Sequence, residues 1–168
     1  RNDKNGTCIM ISRAMADYMT AARKMRSEHM TLIHNGVVNK AVNVRDEWHG
    51  LDSREMHLLH CGHLSDAKGQ KESLKAVAHL VKQGYSDIYL HFAGTAAVSH
   101  GKSYKDILCE MIAEYGIEKN VIFEGEVRDM AALRQRMDVE LMCSLAEPFG
   151  RVTVEGMQSG LVVIGCDT

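Results

Sequence analysis

The segment from residue 147 to residue 155 carries the strongest structural signal in this chain. It reads Glu-Pro-Phe-Gly-Arg-Val-Thr-Val-Glu and contains the only proline of the 168 residues. Pro148 fixes its own φ, and Gly150 can adopt φ values that other residues avoid. An apolar run precedes this turn and a helical pattern follows it. The segment therefore predicts a strand, a rigid turn and a helix that begins near Gly150.

A helix that begins in such a turn is suited to binding an anion, because its first amides are free and its dipole is positive at that end. Glu147 would lie on the loop and Glu155 one turn into the helix. Two carboxylates on either side of a phosphate-sized site predict a nucleotide with a further group attached. On their own, the same carboxylates would fit the solvated end of a helix, and the Pro-Phe-Gly between them is what favours the site.

Composition and charge exclude several classes of protein. With 45% hydrophobic and 25% charged residues, the chain is typical of an ordinary globular domain. Its formal net charge is −2 and its basic residues are scattered, which argues against a nucleic-acid partner. Its apolar runs are far shorter than a transmembrane helix.

The cysteines indicate a reducing compartment. The chain contains five, without Cys-x-x-Cys spacing, and it opens on a polar run that lacks the apolar stretch of a signal peptide. We therefore expect a cytoplasmic protein. Cys8, Cys61 and Cys143 lie in apolar strand-like runs, where a thiol behaves as a small hydrophobic group, so we expect structural thiols in the core.

Strand-like runs alternate with helical patterns along the chain. Apolar residues at i, i+3, i+4 and i+7 predict the helices, and Ser12 is a plausible N-cap for the first of them. Short connections between alternating strands and helices predict an α/β fold, a doubly wound parallel sheet covered on both faces. The predicted strands are 8–11, 30–34, 56–61, 88–93, 121–124, 139–143 and 161–164, and the predicted helices are 12–26, 68–83, 103–115 and 129–137.

A polar stretch without periodicity divides the chain near residues 35–55. A structureless loop of this length is uncommon inside a compact domain, so it more plausibly links two units. We predict that residues 1–36 are the tail of one unit, 37–55 a linker and 56–168 most of a second unit. Both ends of the chain indicate a piece of a longer protein, because it opens on Arg1 and stops directly after a strand-like run.

The loops after the predicted strands are the places to look for a ligand. In doubly wound sheets, ligands bind outside the carboxyl ends of the strands, where the winding direction reverses. Several of these loops contain glycine, and two also carry basic side chains. They are residues 62–69, 94–96, 125–128 and 147–151.

These loops, in this order, resemble those of the group 1 family of retaining glycosyltransferases of the GT-B fold. That family has a strand ending in Gly-Arg-Leu, followed by Lys-Gly, and this chain has Gly62-His63-Leu64 followed by Lys68-Gly69. Its Glu-x7-Glu signature matches Glu147 through Glu155, which is the most specific match. Residues 120–125 are similar to its strand and loop beside the nucleotide base, and residues 33–37 to its inter-domain segment.

The resemblance covers residues 9–168 and implies two Rossmann-like domains. The N-terminal domain recognises the acceptor and the C-terminal domain binds the donor, so residues 56–168 would be most of the donor domain, cut at its C-terminus. The implied reaction is retaining transfer of a sugar from a nucleotide-diphosphate-sugar, of the UDP or GDP type. The acceptor would be a glycan, a lipid or a small molecule. No metal or other cofactor is implied, because no Asp-x-Asp pair is evident.

The resemblance also implies roles for individual residues. Lys68 would contact the diphosphate and Glu147 would lie by the donor sugar, and these two would be the catalytic residues. Glu155 would bind the ribose hydroxyls. The remaining donor-binding residues would be Gly62, His63 and Gly94 in their loops, Glu126, Val127 and Arg128 beside the base, and Phe149, Gly150 and Arg151 in the turn.

The chain departs from the family pattern at three places. His63 replaces an arginine that is permanently charged, whereas a histidine is largely neutral near pH 7 unless a phosphate holds its proton. Thr95 and Ala96 follow Gly94, where the family has a second glycine. Val162 occupies a position that is usually proline.

Other functions fit the same residues. A sugar-nucleotide isomerase or epimerase could use the same fold, and so could a nucleotide-binding module without catalysis. A zinc site built from His57, His60, Cys61 and His63 is disfavoured, because His57 and Cys61 face one side of a strand and His60 the other. The acceptor and any peripheral membrane association would involve parts outside this chain, so we expect the chain alone to be inactive in transfer.

Overall fold

The computed structural model describes residues 6–37, 55–96, 98–99 and 102–167, with residues 98, 99 and 102 described by their backbone alone. The described residues fall into two compact units, one formed by residues 6–37 with Glu147–Arg151 and the other by the rest. Nearly all of the predicted linker, residues 37–55, lies outside the described residues. The predicted domain boundaries therefore stay a prediction.

The first unit contains a β-α-β element. Strand β1 (Cys8–Met10) pairs in parallel with strand β2 (Met30–Leu32), and helix α1 (Arg13–Arg23) and a short 3-10 helix (Ser27–His29) lie between them in sequence. The Ser12 hydroxyl accepts a hydrogen bond from the Met15 amide at 3.1 Å, which confirms the predicted N-cap. The helix ends earlier than predicted because Lys24 takes a left-handed conformation.

The second unit is built on a five-stranded parallel sheet. Its strands are β3 (Met56–Cys61), β4 (Ile88–Ala93), β5 (Val121–Gly125), β6 (Val139–Met142) and β7 (Val162–Gly165). They lie in the order β5-β4-β3-β6-β7, and each pairs in parallel with its neighbours. The winding direction reverses between β3 and β6, which confirms the predicted doubly wound sheet.

Helices connect these strands. They are α2 (Gln70–Lys82), α3 (Tyr104–Tyr115), α4 (Met130–Arg134) and α5 (Arg151–Gln158), with 3-10 turns at Asp66–Lys68 and Glu118–Asn120. A short antiparallel pair, Val98–Ser99 with Lys102–Ser103, precedes α3. Capping explains two of the helix starts, because Ser103 and Asp106 form a capping box and the Asp129 side chain accepts from the Ala132 amide.

Apolar side chains cover both faces of the sheet, as expected for parallel strands. On one face, α2 and α3 contribute to a core that includes Leu58, Leu74, Val77, Leu90, Phe92, Leu108 and Ile112. On the other face, a smaller cluster contains Leu59, Ala93, Leu133, Met137 and Leu161. The predicted burial of Leu74, Val77, Leu133 and Met137 is confirmed.

The buried face of α3 differs from the prediction by one residue. The expected stripe contained Ile107, Met111, Ile112 and Tyr115, but Leu108 is fully buried and Ile107 only partly. Both residues are apolar and adjacent, so the sequence alone allowed either rotation of the helix.

The prediction that the cysteines are core thiols is wrong for three of them. Cys8, Cys109 and Cys166 are exposed, whereas Cys61 and Cys143 are partly buried. Cys109 follows the buried Leu108 and therefore turns outward on α3, and Cys166 lies just beyond the end of β7.

The rotation of α3 can be tested by matched truncations. Leu108→Ala should reduce the free energy of unfolding by about 2–5 kcal/mol, because it leaves a cavity in a fully buried site. Ile107→Ala should reduce the free energy of unfolding by a clearly smaller amount. Urea unfolding of the two variants measures both values, and equal or reversed losses would contradict the rotation that the structure shows.

Candidate functional site

A cavity of about 340 Å³ opens at the carboxyl ends of β3 and β4, in the second unit. This is the edge of the sheet at which doubly wound folds bind ligands. Five residues of its lining belong to the site predicted from the sequence: Gly62, His63, Gly94, Glu126 and Val127. The lining also contains Cys61, Ala93, Thr95 and Met130, which sequence reasoning did not select.

Backbone hydrogen bonds join the loops around this cavity. The Gly62 amide donates to the Ala93 carbonyl at 2.9 Å, and the Leu64 amide to the Thr95 carbonyl at 2.9 Å. Since these bonds continue the ladder of the sheet beyond the strand ends, they hold neighbouring loops in fixed register.

Gly94 shows why this edge of the sheet needs glycine. Its φ is +149°, and a Cβ there would collide with the Gly62 carbonyl. Its amide donates to the Gly125 carbonyl at 2.7 Å, so a third loop is held as well. Any side chain at position 94 would separate loops that the hydrogen bonds bring together.

Lys68 ends a 3-10 turn that begins at Asp66. The aliphatic part of its side chain lies beside Gly62, since a Cβ on that glycine would be 3.9 Å from the Lys68 Cδ. The turn is fixed from behind, because the Leu145 amide donates to the Ala67 carbonyl at 2.9 Å. Gly69 has φ +72° and packs so closely that a Cβ would collide with the Cys143 carbonyl. The predicted phosphate ligand therefore lies at the end of β3 on a well-held turn.

His60 lies beneath this turn and is almost fully buried. Its Nδ1 is 2.7 Å from the Ser73 hydroxyl on α2, and the ring also hydrogen-bonds to the backbone of Lys68. The pKa of His60 is lowered to about 4, mainly by burial and also by the charge of Lys68, against the effect of the backbone hydrogen bond to Lys68. A neutral imidazole therefore connects β3, α2 and the Lys68 turn.

Glu155 lies in helix α5 with its side chain partly buried, 27% exposed. Its Oε2 accepts a hydrogen bond from Arg134 Nη2 at 3.1 Å. Arg134 also binds Glu140, which is fully buried in β6. Sequence reasoning missed Arg134 and Glu140. The available signal was Glu140 itself, a carboxylate inside an otherwise apolar strand.

The remaining predicted residues are not among those that line the cavity. Glu147, Phe149, Gly150 and Arg151 belong to the first unit, in which the Phe149 ring lies 6.0 Å from the His34 ring. Gly150 has φ +75° and α5 begins at Arg151, which confirms the predicted turn and helix start. Arg128, in the second unit, is exposed.

The histidine-rich strand β3 sends its side chains to different partners. His57 Nδ1 lies 2.9 Å from His91 Nε2, and His91 Nδ1 lies 2.8 Å from Glu124. His60 points instead toward Ser73. Within the described ranges, no group of three or more His, Cys, Asp or Glu residues is arranged to hold a metal ion.

A doubly wound sheet with glycine loops around a cavity at its carboxyl edge defines a Rossmann-like α/β domain. Residues 45–168 match the family model for "Glycosyl transferases group 1". The chain therefore belongs to the group 1 glycosyltransferases, and its sheet is that of the C-terminal domain of their GT-B fold.

Individual proteins are similar to this chain as well. Protein CapJ from Staphylococcus aureus is 35% identical over 99 residues, which is 57% of this chain and 23% of that protein. The D-inositol 3-phosphate glycosyltransferase of Pseudarthrobacter chlorophenolicus is 30% identical over 118 residues, covering 69% of this chain and 27% of the enzyme.

Among solved structures, Anabaena Alr3699/HepE in complex with UDP and glucose matches with a TM-score of 0.81 and 26% identity. The match covers 97% of this chain and 45% of HepE. The chain thus spans less than half the length of each of these proteins. In the described part of the chain, none of the helices combines the length and the apolar character that a membrane span requires.

The buried, neutral state of His60 predicts a pH dependence of stability. Because its pKa falls from the ordinary 6.5 to about 4 on folding, the unfolded chain binds the extra proton between these values. The neutral state of His60 therefore contributes about 3 kcal/mol to the free energy of unfolding. This contribution is complete above pH 6.5 and is lost as the pH falls toward 4. His60→Gln should flatten this dependence.

Chemical denaturation between pH 7 and pH 4.5 measures the pH dependence of the free energy of unfolding. His79→Gln is the control, because His79 is exposed on the same helix that His60 contacts. The control should keep the slope of the unmodified chain. If His60→Gln kept it too, the histidine would not be held neutral by the fold.

Proposed function

We propose that this chain forms the donor side of a glycosyltransferase and binds a nucleotide-diphosphate-sugar of the UDP or GDP type. The observation that carries the proposal is the cavity at the end of β3, where Gly62, His63 and Gly94 meet and Lys68 lies beside the first of these glycines. HepE, which was solved with UDP and glucose, shares the fold over nearly the whole chain at 26% identity. That likeness supports the same ligand class here.

The chemistry of transfer explains why a lysine and free amides are useful. When the bond to the sugar breaks, negative charge develops on the departing diphosphate while the anomeric carbon becomes cation-like. Lys68 would neutralise this charge, and His63 would do so when a phosphate holds its proton. Preorganised donors of this kind contribute about 3 kcal/mol each in measured enzymes.

The other roles follow from the family pattern. We propose that Glu147 lies by the donor sugar, that Gly150 and Arg151 offer backbone amides to the donor, and that Glu155 binds the ribose. Glu126, Val127 and Arg128 would flank the base. Transfer with retention of configuration, to a glycan, a lipid or a small molecule, belongs to the complete protein and needs no metal in this proposal.

Three further points stay predictions. One is a cytoplasmic location, and another is peripheral membrane association through other parts of the protein. The third is that this chain alone binds the donor nucleotide weakly and transfers nothing, because it corresponds to less than half of HepE.

Calorimetric titration with UDP and GDP tests the donor site. Lys68→Met should weaken binding of the preferred diphosphate at least about tenfold, because a charged hydrogen bond is lost. Lys75→Met is the matched control, since it removes the same charge from an exposed position on the adjacent helix. Equal losses in both variants, or no binding of either nucleotide by the complete protein, would refute the donor site.

A further inference from the structure

Arg134 is the centre of a buried network of charges in the second unit. Its Nε donates to Glu140 Oε2 and its Nη2 to Glu140 Oε1, both at 3.0 Å. The same Nη2 donates to Glu155 Oε2 at 3.1 Å. The Arg134 side chain is 5% exposed and that of Glu140 is fully buried. One guanidinium thus binds two carboxylates that come from a strand and a helix.

Stability alone gives no reason for this network. The free energy lost when an ion pair is removed from water is about equal to the free energy gained from the attraction between its charges. A protein with an apolar pair of similar volume in the same place is often as stable or more stable. Here a second carboxylate adds repulsion, and burial together with the charge of Glu155 raises the pKa of Glu140 against the effect of Arg134. The arrangement is better explained by orientation, which a planar guanidinium supplies.

The geometry fixes the direction of one carboxylate. Two parallel hydrogen bonds to Glu140 hold the plane of the Arg134 guanidinium, so its contact with Glu155 has a defined direction. Helix α5 approaches closely because residue 156 is glycine, where a Cβ would collide with the Glu140 carboxylate. Glu155 therefore sits on a helix that packs directly over the buried pair.

The network acts electrostatically on one residue of the cavity lining. Cys61 lines the cavity, and the charges of Glu140, Arg134 and Glu155 all act on its thiol. Burial, the largest cause, and the charges of Glu140 and Glu155 raise the pKa of Cys61 to about 11, against the effect of Arg134. The charges of the network, that of Glu155 among them, thus act on a residue that lines the candidate donor site.

We propose that Arg134 and Glu140 are positioning residues that orient the Glu155 carboxylate to accept hydrogen bonds from the ribose hydroxyls of the donor nucleotide. The inference rests on the proposed function, in which Glu155 is the ribose ligand. An ionised carboxylate is an acceptor only, which is what a pair of hydroxyl donors requires. Without Arg134, the carboxylates of Glu140 and Glu155 would repel each other, and neither would have a fixed partner in this network.

The test measures the affinity of the complete protein for two ligands. One is whichever of UDP and GDP binds more tightly, and the other is the 2′,3′-dideoxy analogue of that nucleotide. The unmodified protein should prefer the ribonucleotide about tenfold or more, and Glu155→Gln should remove most of that preference. The double variant Arg134→Met/Glu140→Leu keeps Glu155 and fills the site with apolar side chains, so it should stay folded. It should nevertheless lose the preference, while its affinity for the dideoxy analogue stays unchanged.

Arg134→Lys provides a second, milder variant. It keeps the charge but lacks the planar fork, so the preference should fall at least about threefold. A purely structural role would lower the unfolding temperature and leave the ratio of the two affinities unchanged. If Glu155→Gln lost the preference while both Arg134 variants kept it, the positioning role would be wrong and the donor site would stand. If the unmodified protein bound neither nucleotide or showed no preference, the ribose role of Glu155 would fail, and the positioning role with it.

Discussion

The close approach of neighbouring loops at the carboxyl edge of the sheet is the constraint on which the candidate site depends. Parallel strands bring these loops to one edge, but backbone hydrogen bonds at Gly62, Leu64 and Gly94 hold them in contact. Gly94 permits the contact because any Cβ there would meet the Gly62 carbonyl. Backbone contacts therefore hold together the loops that surround the cavity.

Buried polar groups hold two of the residues proposed to bind the donor. His60 connects β3 and α2 to the backbone of the Lys68 turn, and Arg134 with Glu140 holds Glu155. Both arrangements bury groups that would be less costly in water. The apolar clusters stabilise the sheet, and these polar groups give the proposed ligands defined positions.

Much of the fold could be predicted from the sequence, because hydrophobic periodicity and capping residues act locally. Strands β3 and β4 begin and end as predicted, and Ser12 caps its helix. The rotation of α3 could not be resolved, since Ile107 and Leu108 fit equally well. The Arg134–Glu140 pair was also out of reach, because two residues six positions apart, in a helix and a strand, meet only in the folded sheet.

A crystal structure of the complete protein with bound UDP or GDP tests the central claim most directly. The account predicts the β-phosphate within hydrogen-bonding distance of Lys68 Nζ, the base against Val127, and the ribose hydroxyls on Glu155. A nucleotide bound with Lys68 directed into solvent, or bound at the other edge of the sheet, would contradict it.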